Sequence, residues 1–124
     1  MTLAILTAAA LAGSAAAQIP QRTHRDAVTS NLLLIARCET GGKSGQHGRP
    51  DWKHRARSEH PGHHYEGALG FLDSTWDAFK PKGYPSGAHQ ATRAQQLVVG
   101  RKLVARFGNY SSWPACSRRL GLRG

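Results

Sequence analysis

Acidic residues are scarce in this chain of 124 residues, which carries 7 Asp and Glu against 17 Lys and Arg. The formal net charge is +10 with His neutral. Such an imbalance draws polyanions of any kind, whether nucleic acid, anionic lipid or wall polymer, and does not choose among them. Cysteine is nearly absent too. Cys38 and Cys116 are the only two, so a single intramolecular pairing exists. Long hydrophobic runs are missing: the apolar stretch Leu3 to Leu11 is too short to cross a bilayer comfortably, so no stable membrane insertion is expected. No segment repeats. Apolar residues, by contrast, make up 40% of the chain, which fits a folded domain rather than a disordered one. At this length one domain with a modest core is expected, and an extra staple would help it.

The segment MTLAILTAAALAGSAAA, residues 1–17, holds no charge, and every Lys and Arg lies after it. Ala15, Ala16 and Ala17 end it with small residues, as a signal peptidase requires. The expectation is a signal peptide over 1–17, cleaved before Gln18, although no base precedes its apolar run. Export permits disulfides. A bridge between Cys38 and Cys116 would close most of the exported chain, worth roughly 4–5 kcal/mol by loop entropy. Two unpaired thiols are the alternative. For an exported protein, the phosphates and carboxylates of a cell wall are nearer neighbours than nucleic acid.

Residues 18–28, opening QIPQRTHRD, read as a polar lead-in. AVTSNLLLIARCETGG then reads as a helix, capped at Thr29 or Ser30 and stopped by Gly41 and Gly42. Cys38 and Glu39 fall in its last turn. Residues 43–64 are rich in Gly, Pro, His and Arg and show no period, which predicts a long exposed loop. Tyr65 to Phe71 form a tight turn or small β-hairpin. Asp73 or Ser74 caps a short helix carrying Trp76 and Phe79. ATRAQQLVVGRKLVARFG is the clearest helix. Thr92 and Gln95 have capping-box spacing, Leu97, Val98, Leu103, Val104 and Phe107 make an apolar stripe, Gly100 marks close packing, and Gly108 caps the end. Trp113 and Cys116 close the chain.

IARCETGG, YEGALGF, STWDAF, ATRAQQLVVGRKLVARFG and WPAC, in this order, resemble the transglycosylase-like domain of the resuscitation-promoting factors. The resemblance covers about residues 31–118. It implies a mainly α (α+β), lysozyme-like single domain over 29–120, with a short hairpin or turn and one disulfide, Cys38–Cys116. It also implies a secreted, monomeric peptidoglycan glycosidase that needs no metal and no cofactor, with Glu39 as the catalytic acid. Tyr65, Gly67, Gly70, Thr75 and Trp52 are then the substrate-binding positions. Two departures stand out. Gly70 occupies a turn position where the family has Gln, and the stretch from Glu39 to Tyr65 is about a dozen residues longer than usual.

The chemistry asked of Glu39 is protonation of a poor leaving group, which needs a carboxylic acid with a raised pKa. A helix C-terminus and an apolar setting both favour the neutral acid, while Arg37 and Lys43 would oppose it. Most glycosidases use two carboxylates. None of Asp51, Glu59, Glu66, Asp73 and Asp77 belongs to the family motif as a second one. An N-acetyl group at C2 of the sugar can replace the second acid, and Asp73 could position a water. Thr75 is either a hydroxyl donor to substrate or a helix cap, and Tyr65 either stacks on a sugar or packs the hairpin. Trp76 and Trp113 are expected in the core. His47, His54, His60, His63 and His64 follow no compact zinc spacing, which predicts a solvated basic loop that gains charge below about pH 6.5. The altered turn and long loop also fit a second reading, a non-catalytic peptidoglycan-binding module. A nucleic-acid binder rests on charge alone.

Overall fold

The computed structural model describes residues 3–122, with side chains from residue 22 onward. Four α-helices and a three-stranded antiparallel sheet make up a small α+β domain, in the order α1 (Leu3–Thr40), β1 (Arg55–Arg57), β2 (His64–Glu66), β3 (Phe71–Leu72), α2 (Asp73–Phe79), α3 (Arg93–Phe107) and α4 (Pro114–Arg119). A single 3-10 turn, Ala88–Gln90, precedes α3. Among the described residues no helix is long and apolar enough to cross a membrane. The expected signal segment, 1–17, lies outside the residues whose side chains are described.

The first helix does not begin at Thr29 or Ser30. It continues through residues 18–28, so the carbonyls of the preceding turn satisfy the N–H groups that a cap would have held. The Thr29 hydroxyl instead accepts a hydrogen bond from Arg101 of α3 at 3.2 Å. Leu32, Ile35 and Ala36 stay on the buried face and meet α3. Gly100 makes that meeting close: a Cβ there would lie 3.0–3.1 Å from side-chain carbons of Leu69 and Leu32. The capping box at α3 forms as expected, with Gln95 N–H to Thr92 Oγ1 at 3.1 Å and Thr92 N–H to Gln95 Oε1 at 3.0 Å. The stripe on α3 turns by one position, because Val99 is buried, Val98 is half-buried and Phe107 is 49% exposed. Trp76 and Trp113 are core residues. Their indole N–H groups donate to the carbonyls of Pro85 at 2.9 Å and Leu69 at 2.8 Å.

Residues 43–64 are not all loop. β1 lies inside them and pairs with β2, Arg55 opposite Glu66 and Ala56 opposite Tyr65. Three residues flanked by arginines carry no alternation to read, and the strand forms because β2 supplies its ladder. The hairpin at 65–71 does form, as β2 and β3 pair through Tyr65 opposite Leu72. α2 starts without a side-chain cap; Leu72 is the N-cap, and Asp73 Oδ1 accepts from the Ser74 N–H at 2.9 Å.

One polar side chain holds the loop, the turn and the helix together. Gln96 of α3 is fully buried. Its Oε1 accepts from the Ala68 N–H at 2.9 Å, and its Nε2 donates to the Trp52 carbonyl at 2.8 Å and to the Ala91 carbonyl at 3.1 Å. Burial without these partners would cost about 1–3 kcal/mol per unsatisfied group.

Candidate active site

The sequence places Glu39 in the last turn of α1, and the backbone explains why the helix stops there. Gly41 N–H still donates to the Arg37 carbonyl at 2.8 Å, and Gly48 N–H then returns to the Gly41 carbonyl at 2.9 Å. Thr40 is buried and anchors the turn: its hydroxyl accepts the Asp51 N–H at 2.9 Å and has the Ala36 and Ala68 carbonyls at 3.1 Å to donate to. One residue before Glu39, Cys38 is joined to Cys116 of α4, with the two Cα atoms 5.8 Å apart.

Glu39 opens into a cleft of about 620 Å³. Directly opposed residues of an antiparallel ladder share a face. Ala56, Tyr65 and Leu72 are such a set, and their face of the sheet forms one wall. Thr75 and Phe79 of α2, Leu103 and Phe107 of α3, and the start of α4 from Ser112 to Ala115 complete it.

Four of the expected site residues therefore share one cleft: Glu39, Tyr65, Gly70 and Thr75. Tyr65 is 41% exposed, with its ring free to meet a ligand. Thr75 caps nothing, since α2 has no side-chain cap. Gly70 has φ +62°, the left-handed region that glycine adopts without strain, and a Cβ there would sit 3.7 Å from Glu39 Oε2. The missing side chain thus leaves open space beside the carboxylate. Two expected residues lie elsewhere. Gly67 is buried, at φ +77°, and a Cβ there would collide with Gln96 Oε1, so packing by itself requires glycine at this position. Trp52 packs half-buried against the core, with the Arg93 guanidinium 5.6 Å from its ring centroid.

Asp73 also lies outside the cleft lining, engaged by His63 at 3.2 Å and His64 at 3.8 Å. Glu39 is the only carboxylate among the described residues that line the cleft. Burial pushes its pKa up, and the positive charge of Arg119 pulls in the opposite direction. The opposition thus comes from α4. Arg37 is turned to the Gly48 carbonyl at 3.2 Å, whereas Arg119 lies 3.8 Å from the Cys38 sulfur. Among the described residues nothing hydrogen-bonds the Glu39 carboxylate.

His54 departs from the expected solvated loop: its side chain is only 12% exposed and lines the cleft. Burial and the nearby Lys43 charge lower its pKa, with Asp51 opposing them. Its imidazole is a neutral acceptor at neutral pH. No spacing rule marks it, because the loop that carries it reaches the cleft only by folding back as β1.

The arrangement is a groove with one half-buried, unpaired acid, a neutral imidazole, an exposed aromatic ring and a hydroxyl. The transglycosylase-like domain matches residues 26–116, most of the chain. The chain belongs to that family. Members similar to this transglycosylase-like domain include a resuscitation-promoting factor of Corynebacterium glutamicum, 36% identical over 117 residues that make up 94% of this chain and 53% of the relative. One of Mycobacterium tuberculosis is 34% identical over 114 residues, 92% of this chain and 24% of its own length. One of Micrococcus luteus is 28% identical over 121 residues, 98% of this chain and 46% of its own. The chain thus spans about half or less of the length of these relatives.

Proposed function

We propose that this transglycosylase-like domain cleaves peptidoglycan glycan strands between N-acetylmuramic acid and N-acetylglucosamine, with Glu39 as the single general acid. The observation that carries this reading is Glu39 itself: a carboxyl group in a sugar-sized groove, half-desolvated, with a raised pKa and no hydrogen-bond partner. A protonated Glu39 gives its proton to the glycosidic oxygen, and the bond to C1 breaks. The C2 N-acetyl group of the substrate stabilises the cation that forms, in place of a second protein carboxylate. The Glu39 carboxylate then takes a proton from the attacking hydroxyl. If the attacker is the sugar's own 6-hydroxyl, the product is a 1,6-anhydro sugar and the domain is a lytic transglycosylase. If it is water, the product has a reducing end and the domain is a muramidase.

Tyr65 stacks on a sugar ring in this reading, Thr75 donates its hydroxyl to the glycan, and the space beside Gly70 admits the substrate next to Glu39. The neutral imidazole of His54 is available to hold the attacking group. The net charge of +10 holds the enzyme on anionic wall polymers. Secretion by a signal peptide over 1–17 and a wall-associated location complete the proposal, and the disulfide fits an oxidising compartment. Mass spectrometry of purified peptidoglycan after incubation with the protein tests it. Release of anhydro or reducing-end muropeptides is expected. Tight binding to the insoluble wall with no released product would overturn it in favour of a non-catalytic module.

A further inference from the structure

The sheet that walls the cleft has a second face, and the same strand arithmetic defines it. His64 and Glu66 flank Tyr65 and point to the opposite side. Tyr65 pairs with Leu72, so the antiparallel register sets Asp73 opposite His64. One imidazole nitrogen of His64 and one carboxylate oxygen from each of Glu66 and Asp73 lie within 4.8 Å of one another. We infer that His64, Glu66 and Asp73 form a binding site for a zinc-like divalent cation on the face of the sheet away from the cleft.

The donor set carries this. Two carboxylates supply two negative charges against a dication, in a chain with only 7 acids. A neutral imidazole joined to carboxylate oxygens suits a borderline metal of the zinc group, whereas calcium and magnesium take six or more oxygens or mostly water. Tetrahedral coordination at zinc bond lengths puts donors about 3.4 Å apart, so the cluster needs to contract by about 1.4 Å at its widest. His63 Nδ1 lies 3.2 Å from Asp73 Oδ1 but stands outside the three-donor cluster, so the fourth position of a tetrahedral ion is left to water. Glu66 is fixed in place before any ion arrives, being 4% exposed, with its Oε2 accepting the Ala88 N–H at 2.8 Å. The same oxygen has His89 Nδ1 at 3.5 Å, a buried nitrogen with no hydrogen-bond partner, so the polar groups around this carboxylate are not fully satisfied. The competing cation is Arg55, 3.9 Å from Glu66 Oε1, but its side chain is half-exposed and free to swing into solvent. Arg57, opposite His64, is exposed as well. The chain spacing of the histidines hides the site, because both acids come from outside the histidine-rich segment.

The ion would clamp β2 to the first turn of α2. Those are the two elements that carry Tyr65 and Thr75 to the cleft, so the site is structural and takes no part in the chemistry. Its existence is independent of the proposed activity.

The test is titration of the chelator-treated full chain with zinc chloride at neutral pH, followed by calorimetry, together with the visible absorption of the cobalt(II) form. One ion per chain and a raised thermal midpoint are expected. His64→Gln and Asp73→Asn, both at partly exposed positions, are expected to weaken binding by about tenfold or more while circular dichroism stays unchanged. His60→Gln, from the same loop, is expected to leave binding as it was. Absence of saturable binding would overturn the proposal. So would binding that survives His64→Gln and Asp73→Asn together, or that falls equally with His60→Gln.

Discussion

Glu39 and Glu66 are both withdrawn from water, and the two regions that hold them treat the charge in opposite ways. Glu66 on β2 is nearly sealed, yet its carboxylate accepts the Ala88 N–H and stands beside His89 and Arg55. Glu39 at the end of α1 is only half-buried, yet nothing among the described residues hydrogen-bonds it, and its pKa rises. Burial alone therefore does not settle how a carboxyl group behaves; what surrounds the group decides. A carboxylate surrounded by donors is a structural tie, and one left without them in an open groove keeps its proton to higher pH, as the general acid proposed for Glu39 must. The two regions also differ in how they are fastened. The Glu39 end depends on a covalent bond one residue away, and the Glu66 end on hydrogen bonds.

The first way to break the contrast is to remove that covalent tie. The bridge closes a loop with a sequence separation of 78. Replacing Cys38 and Cys116 with Ser is expected to lower stability by about 4 kcal/mol, measured by urea unfolding, and to lower cleavage by loosening the end of α1. The second is Glu66→Ala. It strands the Ala88 N–H and leaves a void, at an expected cost of about 2–3 kcal/mol in the same experiment. Cleavage per folded molecule is expected to persist, because Glu66 faces away from the groove. The third sharpens the Glu39 side. Arg119→Gln removes the charge that pulls the Glu39 pKa down. Glu39 must be protonated to act, so cleavage falls as pH rises through its pKa, and the variant is expected to carry that alkaline limb to higher pH. An unchanged pH profile would remove Arg119 from the account. The smallest effect belongs to Gly70→Ala. A Cβ fits beside Glu39 Oε2 at 3.7 Å, so the cost is the left-handed backbone alone, about 1 kcal/mol.

Much of the fold was legible where the cause is local. Thr92 and Gln95 announced the start of α3, because a capping box needs only residues three apart. Gly100 announced a close helix contact, and α1 does approach there. The end of α1 and the position of Glu39 could be read from Gly41 and Gly42. What could not be read depends on partners far along the chain. β1 exists because β2 pairs with it, and Thr29 fails as a cap because the helix continues before it. Gln96 and Glu66 look like surface polar residues until the Ala68 and Ala88 N–H groups, 28 and 22 positions away, arrive to use them. His54 was hidden in a polar run for the same reason. Of the cleft lining, Glu39, Tyr65, Gly70 and Thr75 were named together through family resemblance, whereas Gly67 and Trp52 lie outside it and pack against Gln96 and the core.

The claim that the two carboxylates differ in kind is tested most directly by soluble muropeptide release from purified peptidoglycan, run side by side on wild type, Glu39→Gln and Glu66→Gln. Release is expected to fall by about 10²–10⁴-fold in Glu39→Gln, with its thermal midpoint no lower than that of wild type because an unfavourably buried charge has been removed. Glu66→Gln is expected to release product like wild type at temperatures where it is folded. Equal release by wild type and Glu39→Gln would contradict the account.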